Sequence, residues 1–395
     1  MGKIWQGKNL NKEVERYTVG EDYILDNKLL KYDCIASIAH SKMLKKIGII
    51  NEEEQVKIEK ELKNIIDLAE KELIKVKVED EDCHTLIENY LIDKLGELGK
   101  KIHTCRSRND QVKVALALYS RDELNNTKEF IFELIVSLKK LDKDISIPGY
   151  THYQKAMPSS FSLWTWGFIA ALNDDIKLLD NALDIINQNP LGSGAGYGIP
   201  IELDREITRR ELGFDKNQEI TYVQNSRGKF EAISLNVMTQ IMFDLNKMAS
   251  DLIFYYTQEL ELITLPEELT TGSSIMPQKR NPDVLEIIRG SYSVVLSYEF
   301  QVKNIITNLI SGYHRDFSSF TKEALMKGFN RTQDSLGIMK LVIDGIKINE
   351  DKCKIAMTEE LFATQKIYDL VKSGMTFRDA YKQIKEEINR TKRTI

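Results

Sequence analysis

Five stretches, at 110–141, 160–187, 228–262, 282–310 and 320–346, carry apolar residues at spacings near 3.6 over roughly 26 to 35 residues each. An average globular helix runs about 11–12 residues, so five of this length leave few folds open. A long helix with one apolar stripe buries that stripe against partners of similar length, and the solution is a bundle. Nothing in this region alternates with period two for long enough to make a major strand. Seven prolines and 21 glycines in 395 residues are few, which also argues against a turn-rich β architecture. The expected fold is all-α, with a central long five-helix bundle at 106–353.

Shorter helices flank that bundle. In a first domain at 1–105, helices are expected at 29–49 and 51–72, the second opening on Asn51 as N-cap with Glu54 three positions on. Glu81-Asp82-Cys83-His84 opens a third, its acids placed where the helix dipole favours them. A last domain at 354–395 holds two more short helices, the final one capped by Thr376. The lysine-rich run from Lys382 to Arg393 alternates with glutamate and reads as a solvated helix face.

The totals exclude several function classes. Lys and Arg number 55 against 60 Asp and Glu, with no basic block large enough for a nucleic-acid surface. No apolar run approaches the roughly 18 residues that span a bilayer. The segment Met1-Gly2-Lys3-Ile4-Trp5 lacks the apolar core of a signal peptide, and Gln6 stands where a myristoylation motif wants Ser or Thr. The four cysteines, Cys34, Cys83, Cys105 and Cys353, are scattered without C-x-x-C spacing, so neither a disulfide framework nor a zinc site is expected. These features point to the cytoplasm, with no membrane and no nucleic acid as partner.

Three polar blocks interrupt the helical pattern. In the loop at 270–286, Gly272 can take backbone angles closed to other residues, allowing a tight bend that exposes Ser273 and Ser274. Lys279 and Asn281 supply a cation and an amide donor, the equipment for holding a carboxylate whose charge grows during a reaction, and Glu286 follows at the start of a helix. From the residues alone, a polar loop capping a helix at Pro282 accounts for the same composition equally well. The second block, at 103–111, packs Arg106 and Arg108 with Thr104, Ser107 and Asn109 just before a long helix. Guanidinium forks and helix-terminal amides both suit carboxylates, while a solvated capping segment is the plainer reading. In the third, Thr151 and His152 follow Pro148-Gly149, expected to form a turn, and sit among polar neighbours; a histidine there can work as acid or base. The glycine-rich segment at 190–198 lacks the preceding strand, downstream acid and lysine of nucleotide-binding loops, so no phosphate site is expected.

The loop Gly272-Ser273-Ser274-Ile275-Met276-Pro277-Gln278-Lys279-Arg280-Asn281 resembles G-S-S-x-M-P-x-K-x-N, the signature of the fumarase/aspartase superfamily. The blocks at 103–111 and 149–158 are similar to the argininosuccinate-lyase type, H-T/S-G-R-S-R-N-D-Q and G-Y-T-H-x-Q-x-A-x-P; fumarase and aspartase themselves fit less well. Pro190-Leu191-Gly192-Ser193-Gly194-Ala195 resembles a turn of the same lyases, and Glu81-Asp82-Cys83-His84 their E-D-x-H, with His84 near the active site. The likeness runs from Tyr32-Asp33 to Phe377-Arg378-Asp379-Ala380, and the last domain looks shorter than in most members.

The resemblance implies three helical domains and a homotetramer whose active sites each draw on three subunits. It implies reversible β-elimination of argininosuccinate to fumarate and L-arginine in arginine biosynthesis, with no metal or organic cofactor. Ser107, Arg108 and Asn109 would anchor the succinyl carboxylates, Thr104 and Thr151 would contact substrate, and Lys279 and Asn281 would hold the developing negative charge. Ser273 would be the base and His152 the acid, oriented by a hydrogen bond to Glu286; the reverse assignment of base and acid stays open. Tyr313 and Asp316 match the segment that holds the amino-acid half. The family's glutamine and lysine after them fall on Ser318 and Thr321, with Lys322 one place later. A family serine falls on Asp22, and a family glycine on Cys105. A lyase for a different N-substituted aspartate is favoured by Asp22, Ser318 and Thr321. A non-catalytic structural homologue is opposed by the presence of Ser273, Lys279, Asn281 and His152.

Overall fold

The computed structural model describes residues 11–392, so Met1–Trp5 and Arg393 fall outside the described residues. The fold is all-α. The five expected long helices are Arg108–Leu141, Phe161–Ile186, Lys229–Tyr256, Asp283–Ile306 and Ser319–Gly345. Spacing explains their burial. Along Lys229–Tyr256 the fully buried apolar residues are Leu235, Met238, Ile241, Met242, Leu245, Met248, Ala249 and Leu252, one stripe at three- and four-residue steps. Gly228, just before this helix, has φ +75°, and a Cβ there would lie 2.1 Å from Ile306 Cγ2. Only glycine satisfies both the backbone and the contact.

Local signals also set the shorter helices. Glu52–Glu70 begins with a reciprocal cap: Asn51 Oδ1 accepts from Glu54 N and Glu54 Oε2 from Asn51 N, both at 2.9 Å. Asp82 caps Cys83–Leu95 by accepting from Thr85 N at 2.9 Å. Thr376 caps the last helix, Phe377–Lys392, accepting from Asp379 N at 3.3 Å.

The chain forms two compact units, and each long helix contributes a segment to both. The first takes in residues up to Lys128, Lys177–Gln240 and Ser293–Thr332. One of its apolar clusters joins Ala36 and Ala39 to Val114, Ala117, Leu118, Leu191, Leu212 and Phe214. The second takes in Glu129–Ile176, Ile241–Tyr292 and the chain from Gln333 onward. In it, Trp164 Nε1 donates to Asp251 at 3.0 Å, and the helices Ala363–Lys372 and Phe377–Lys392 close around Ile367, Ala380 and Ile384.

One element departs from expectation. Ser146–Thr151 and Gln154–Ser160 form an antiparallel hairpin. Pro148 and Gly149 are not a turn but lie inside the first strand, with Pro148 opposite Pro158 and the register shifting at Gly149/Tyr150. Two facing prolines and a glycine hide the alternation by which strands are recognised, because proline cannot donate to a ladder.

In the second unit a buried carboxyl, Asp175, stands against the half-buried Asp244. Burial, then the neighbouring Asp244 and Asp174 carboxylates, push Asp175 up to about 8. Asp175 thus holds its proton in the folded state at pH values where the unfolded chain has lost it, so this site's stability contribution is full in acid and falls as pH rises toward about 8. Asp175→Asn is expected to remove that fall, its advantage over wild type growing between about pH 5 and 9 to at least about 1 kcal/mol. Urea midpoints across that range check it; a pH-independent difference would rule out the shared proton. Among the described residues no helix is long and apolar enough to cross a membrane.

Candidate functional site

A cavity of about 480 Å³ opens in the first unit, and every residue lining it belongs to that unit. Its floor is the start of Arg108–Leu141. Ser107 Oγ accepts from Asn109 N at 3.3 Å, and Asp110 Oδ1 accepts from Ser107 N at 2.9 Å, a reciprocal cap that fixes the segment's entry. Asp110 Oδ2 also accepts from Gly192 N at 3.2 Å and Gly194 N at 3.0 Å. The glycine-rich loop's amides therefore hold a carboxylate of this chain.

The expected residues Asp22, Ser107, Arg108, Asn109, Tyr313 and Lys322 all line this cavity. Asp26, Asp82, His103, Arg106, Arg227, Arg315 and Ser318 line it too, and sequence reasoning did not single out most of these. Thr104 does not; its carbonyl accepts from His40 Nε2 at 2.8 Å. His84 is buried alongside, its Nδ1 2.7 Å from Asp33 Oδ2.

Most cations in the cavity meet an acid. Arg108 pairs with Asp82 and lies 3.6 Å from Glu81. Arg315 lies 3.7 Å from Asp22 and 3.6 Å from Glu81. Lys322, displaced by one position from the expected lysine, is buried with Nζ 2.7 Å from Asp22 Oδ1 and 2.6 Å from Asp26 Oδ1. Ser318 Oγ donates to Asp22 Oδ2 at 2.7 Å, and Cys83 N donates to Asp26 Oδ2 at 3.1 Å. Burial drives Asp26 up, but Lys322, His84 and the hydrogen bonds from Lys322 and Cys83 N outweigh it and hold the carboxyl below its ordinary value. The positions that depart from the lyase pattern, Asp22, Ser318 and Lys322, thus compensate one another in a closed network.

Asp26, Cys83 and His84 bring possible ligand atoms within 4.8 Å of one another. Asp26 is already neutralised by Lys322, whose ammonium would oppose a metal cation at this point.

Cys105 stands in the left-handed region at φ +65°, which is the physical reason a glycine suits this position. Cys105→Gly is expected to raise stability by about 0.5–1 kcal/mol, the relief of that strain less the glycine's greater unfolded freedom. Thermal unfolding checks it, and a lowered midpoint would contradict it.

The remaining expected residues belong to the second unit. His152 and Tyr153 are the two turn residues of the hairpin, at φ +54° and +56°. A two-residue turn with both φ positive ordinarily takes Asn-Gly, so a histidine there is held at a cost and presented to the outside, next to Thr151. Thr271–Gly272 and Arg280–Asn281 pair as a second small hairpin with Ser273 to Lys279 in its loop. Gly272 is therefore extended and takes none of the special angles expected of it; the bend falls in the residues after it. Ser273 Oγ accepts from Met276 N at 3.2 Å and Ile275 N at 3.4 Å. Lys279 N donates to Met276 O at 3.0 Å, and Asn281 Nδ2 reaches Thr271 Oγ1 at 3.5 Å. Glu286 lies exposed in the first turn of Asp283–Ile306, and among the described residues it makes no hydrogen bond to His152, so the expected pairing is not formed within this chain.

A lyase family matches the chain over residues 11–297. An argininosuccinate lyase of Thermotoga neapolitana is 48% identical over 395 residues, covering 99% of each chain. One of Phocaeicola vulgatus is 41% identical over 99% of this chain and 89% of its own. Among solved structures, an EDDS lyase in complex with formate has a TM-score of 0.83 at 22% identity, covering 99% of this chain and 78% of that one. A fumarate lyase:delta crystallin from Brucella melitensis bound to cobalt has a TM-score of 0.77 at 18% identity, covering 92% and 85%. These structural likenesses speak to the fold, while the full-length identities speak to descent. The chain is a member of the argininosuccinate lyase family, within the fumarase/aspartase superfamily.

Proposed function

We propose that this protein is an argininosuccinate lyase, catalysing reversible β-elimination of argininosuccinate to fumarate and L-arginine in arginine biosynthesis. The observation that carries the reading is 48% identity over 395 residues to a protein of that name. The site's chemistry supports it. A proton leaves the carbon beside a succinyl carboxylate, its electron pair forms the new double bond, and the bond to the guanidino nitrogen breaks. Ser107, Arg108 and Asn109, at a helix start lining the cavity, suit the succinyl carboxylates. Ser273 takes the proton. The amides of Ile275 and Met276 already point at its Oγ and stabilise an alkoxide there. Lys279 and Asn281 hold the dianionic intermediate, and His152 returns a proton to the departing nitrogen.

Ser107, Arg108 and Asn109 belong to the first unit, and Thr151, His152, Ser273, Lys279 and Asn281 to the second; active sites that draw on several copies of the chain are what the family resemblance implies. Leu163, Trp166, Ile287, Phe300, Phe320 and Leu341 are exposed on the long helices, apolar positions suited to packing against other copies. We therefore read the protein as a cytoplasmic homotetramer of three-domain protomers. The closed network around Asp22 and Lys322 favours one second reading, a lyase for another N-substituted aspartate. Fumarate release, followed by ultraviolet absorbance, decides between them with argininosuccinate, adenylosuccinate and aspartate run side by side. Turnover of argininosuccinate alone is expected; its absence in the folded protein would overturn the primary reading.

A further inference from the structure

Arg227 is a buried cation that none of the expected motifs contains. It is 4% exposed and lines the cavity. Its guanidinium carbon lies 4.9 Å from the ring centroid of Tyr313 and 5.8 Å from that of Phe317, so two aromatic faces hold it in place. Among the described residues its side chain forms no ion pair, and its buried Nε has no hydrogen-bond partner. A buried guanidinium in that state is expensive unless something anionic completes it.

The neighbouring cations are not available in the same way. Lys322 is spent between Asp22 and Asp26, Arg315 has carboxylates close by, and Arg108 is already assigned to the succinyl carboxylates. Arg106, the other cavity arginine without an ion pair among the described residues, donates to Ser37 Oγ at 2.7 Å; both guanidiniums lie in carboxylate fields, Arg106 in those of Asp33, Asp110 and Glu88 and Arg227 in those of Glu231 and Asp22. Arg227 instead stands against Tyr313, in the segment that carries Arg315 and Ser318.

We propose that Arg227 is the specificity-determining residue that receives the α-carboxylate of the leaving amino acid. The inference rests on the elimination reaction proposed above and names the group that selects its amino-acid half. A carboxylate presented to Arg227 gains a charge-assisted pair in a buried setting. The closed network explains why a different cation fills this role, because the lysine near the family's position no longer offers a free charge.

The test compares two substrates of the full-length enzyme. One is argininosuccinate; the other is its analogue built on decarboxylated arginine, identical at the reacting bonds but lacking the α-carboxylate. Wild-type enzyme is expected to prefer argininosuccinate by roughly 100-fold in kcat/KM. In Arg227→Met that preference is expected to collapse, with argininosuccinate losing roughly 100-fold, chiefly through KM, and the analogue changing by less than about 3-fold. Arg227→Lys, which keeps the charge where a methionine disturbs folding, is expected to retain part of the preference. Equal losses on both substrates, or a preference undiminished in a folded Arg227→Met, would overturn the assignment while leaving the lyase reading in place. Wild-type enzyme that releases fumarate from neither substrate would overturn both.

Discussion

Replacing Ser273 by alanine is expected to lower kcat for argininosuccinate cleavage by roughly 10²–10⁴-fold, the range for a positioned proton-transfer group. The fold should survive. Ser273 sits in a surface loop between two short strands, and among the described residues its Oγ accepts only from the amides of Ile275 and Met276, which water can satisfy after truncation. A KM close to wild type is expected, because the residues assigned to the carboxylates lie on other segments. Circular dichroism and the oligomer's mass establish that the variant is folded and assembled, and fumarate release then isolates the chemical step. Ser274→Ala is the control, expected to stay within about 3-fold. A folded Ser273→Ala enzyme retaining most of its activity would remove Ser273 from the proton path and leave His152 as the base.

The second large effect is on stability. Lys322→Met is expected to cost about 3–5 kcal/mol, since it leaves two buried carboxylates, Asp22 and Asp26, without their shared cation. Its pH dependence follows from the shifts. Asp26 is held below its ordinary value, so its stabilising contribution is present above the unfolded carboxylate pKa and is lost as pH falls through the lower folded one. Burial alone would lower Lys322, but Asp26 and Asp22 outweigh it and raise its pKa, so its share is lost only as pH rises above the ordinary lysine value. The difference between wild type and variant should therefore be small in acid and grow as pH rises, because in the variant burial is no longer opposed by Lys322 and raises Asp26. Urea unfolding measures it. A second change, Asp26→Asn in the Lys322→Met background, should recover part of the loss, because it removes one of the stranded charges. A single-variant cost under about 1 kcal/mol would mean that the network carries little stability.

The features legible in the sequence are those whose causes are local. A helix of 34 residues announces itself through apolar spacing, and Asn51 with Glu54 or Thr376 with Asp379 mark helix starts because the capping bonds span three residues. The polar blocks at 103–111 and 270–286 stand out for the same reason, as runs of donors and cations that no helix face needs. Other features depended on contacts distant in the chain. Lys322 and Asp26 are 296 residues apart, and only packing places an ammonium between two aspartates where the sequence pattern predicts a substrate ligand. Arg227 carries no local mark; its role comes from the rings of Tyr313 and Phe317 and from the absence of an ion pair among the described residues. His152 was legible as a candidate, but its place at a strained hairpin tip was not, because facing prolines disguised the strands. Helix lengths, caps and the inventory of reactive groups can be read from the chain alone, since they follow from interactions within a few residues. Which charges cancel and which stay free for a substrate was set by how the chain packs, because an ion pair depends on distance in space and on burial, and neither is encoded in any one segment.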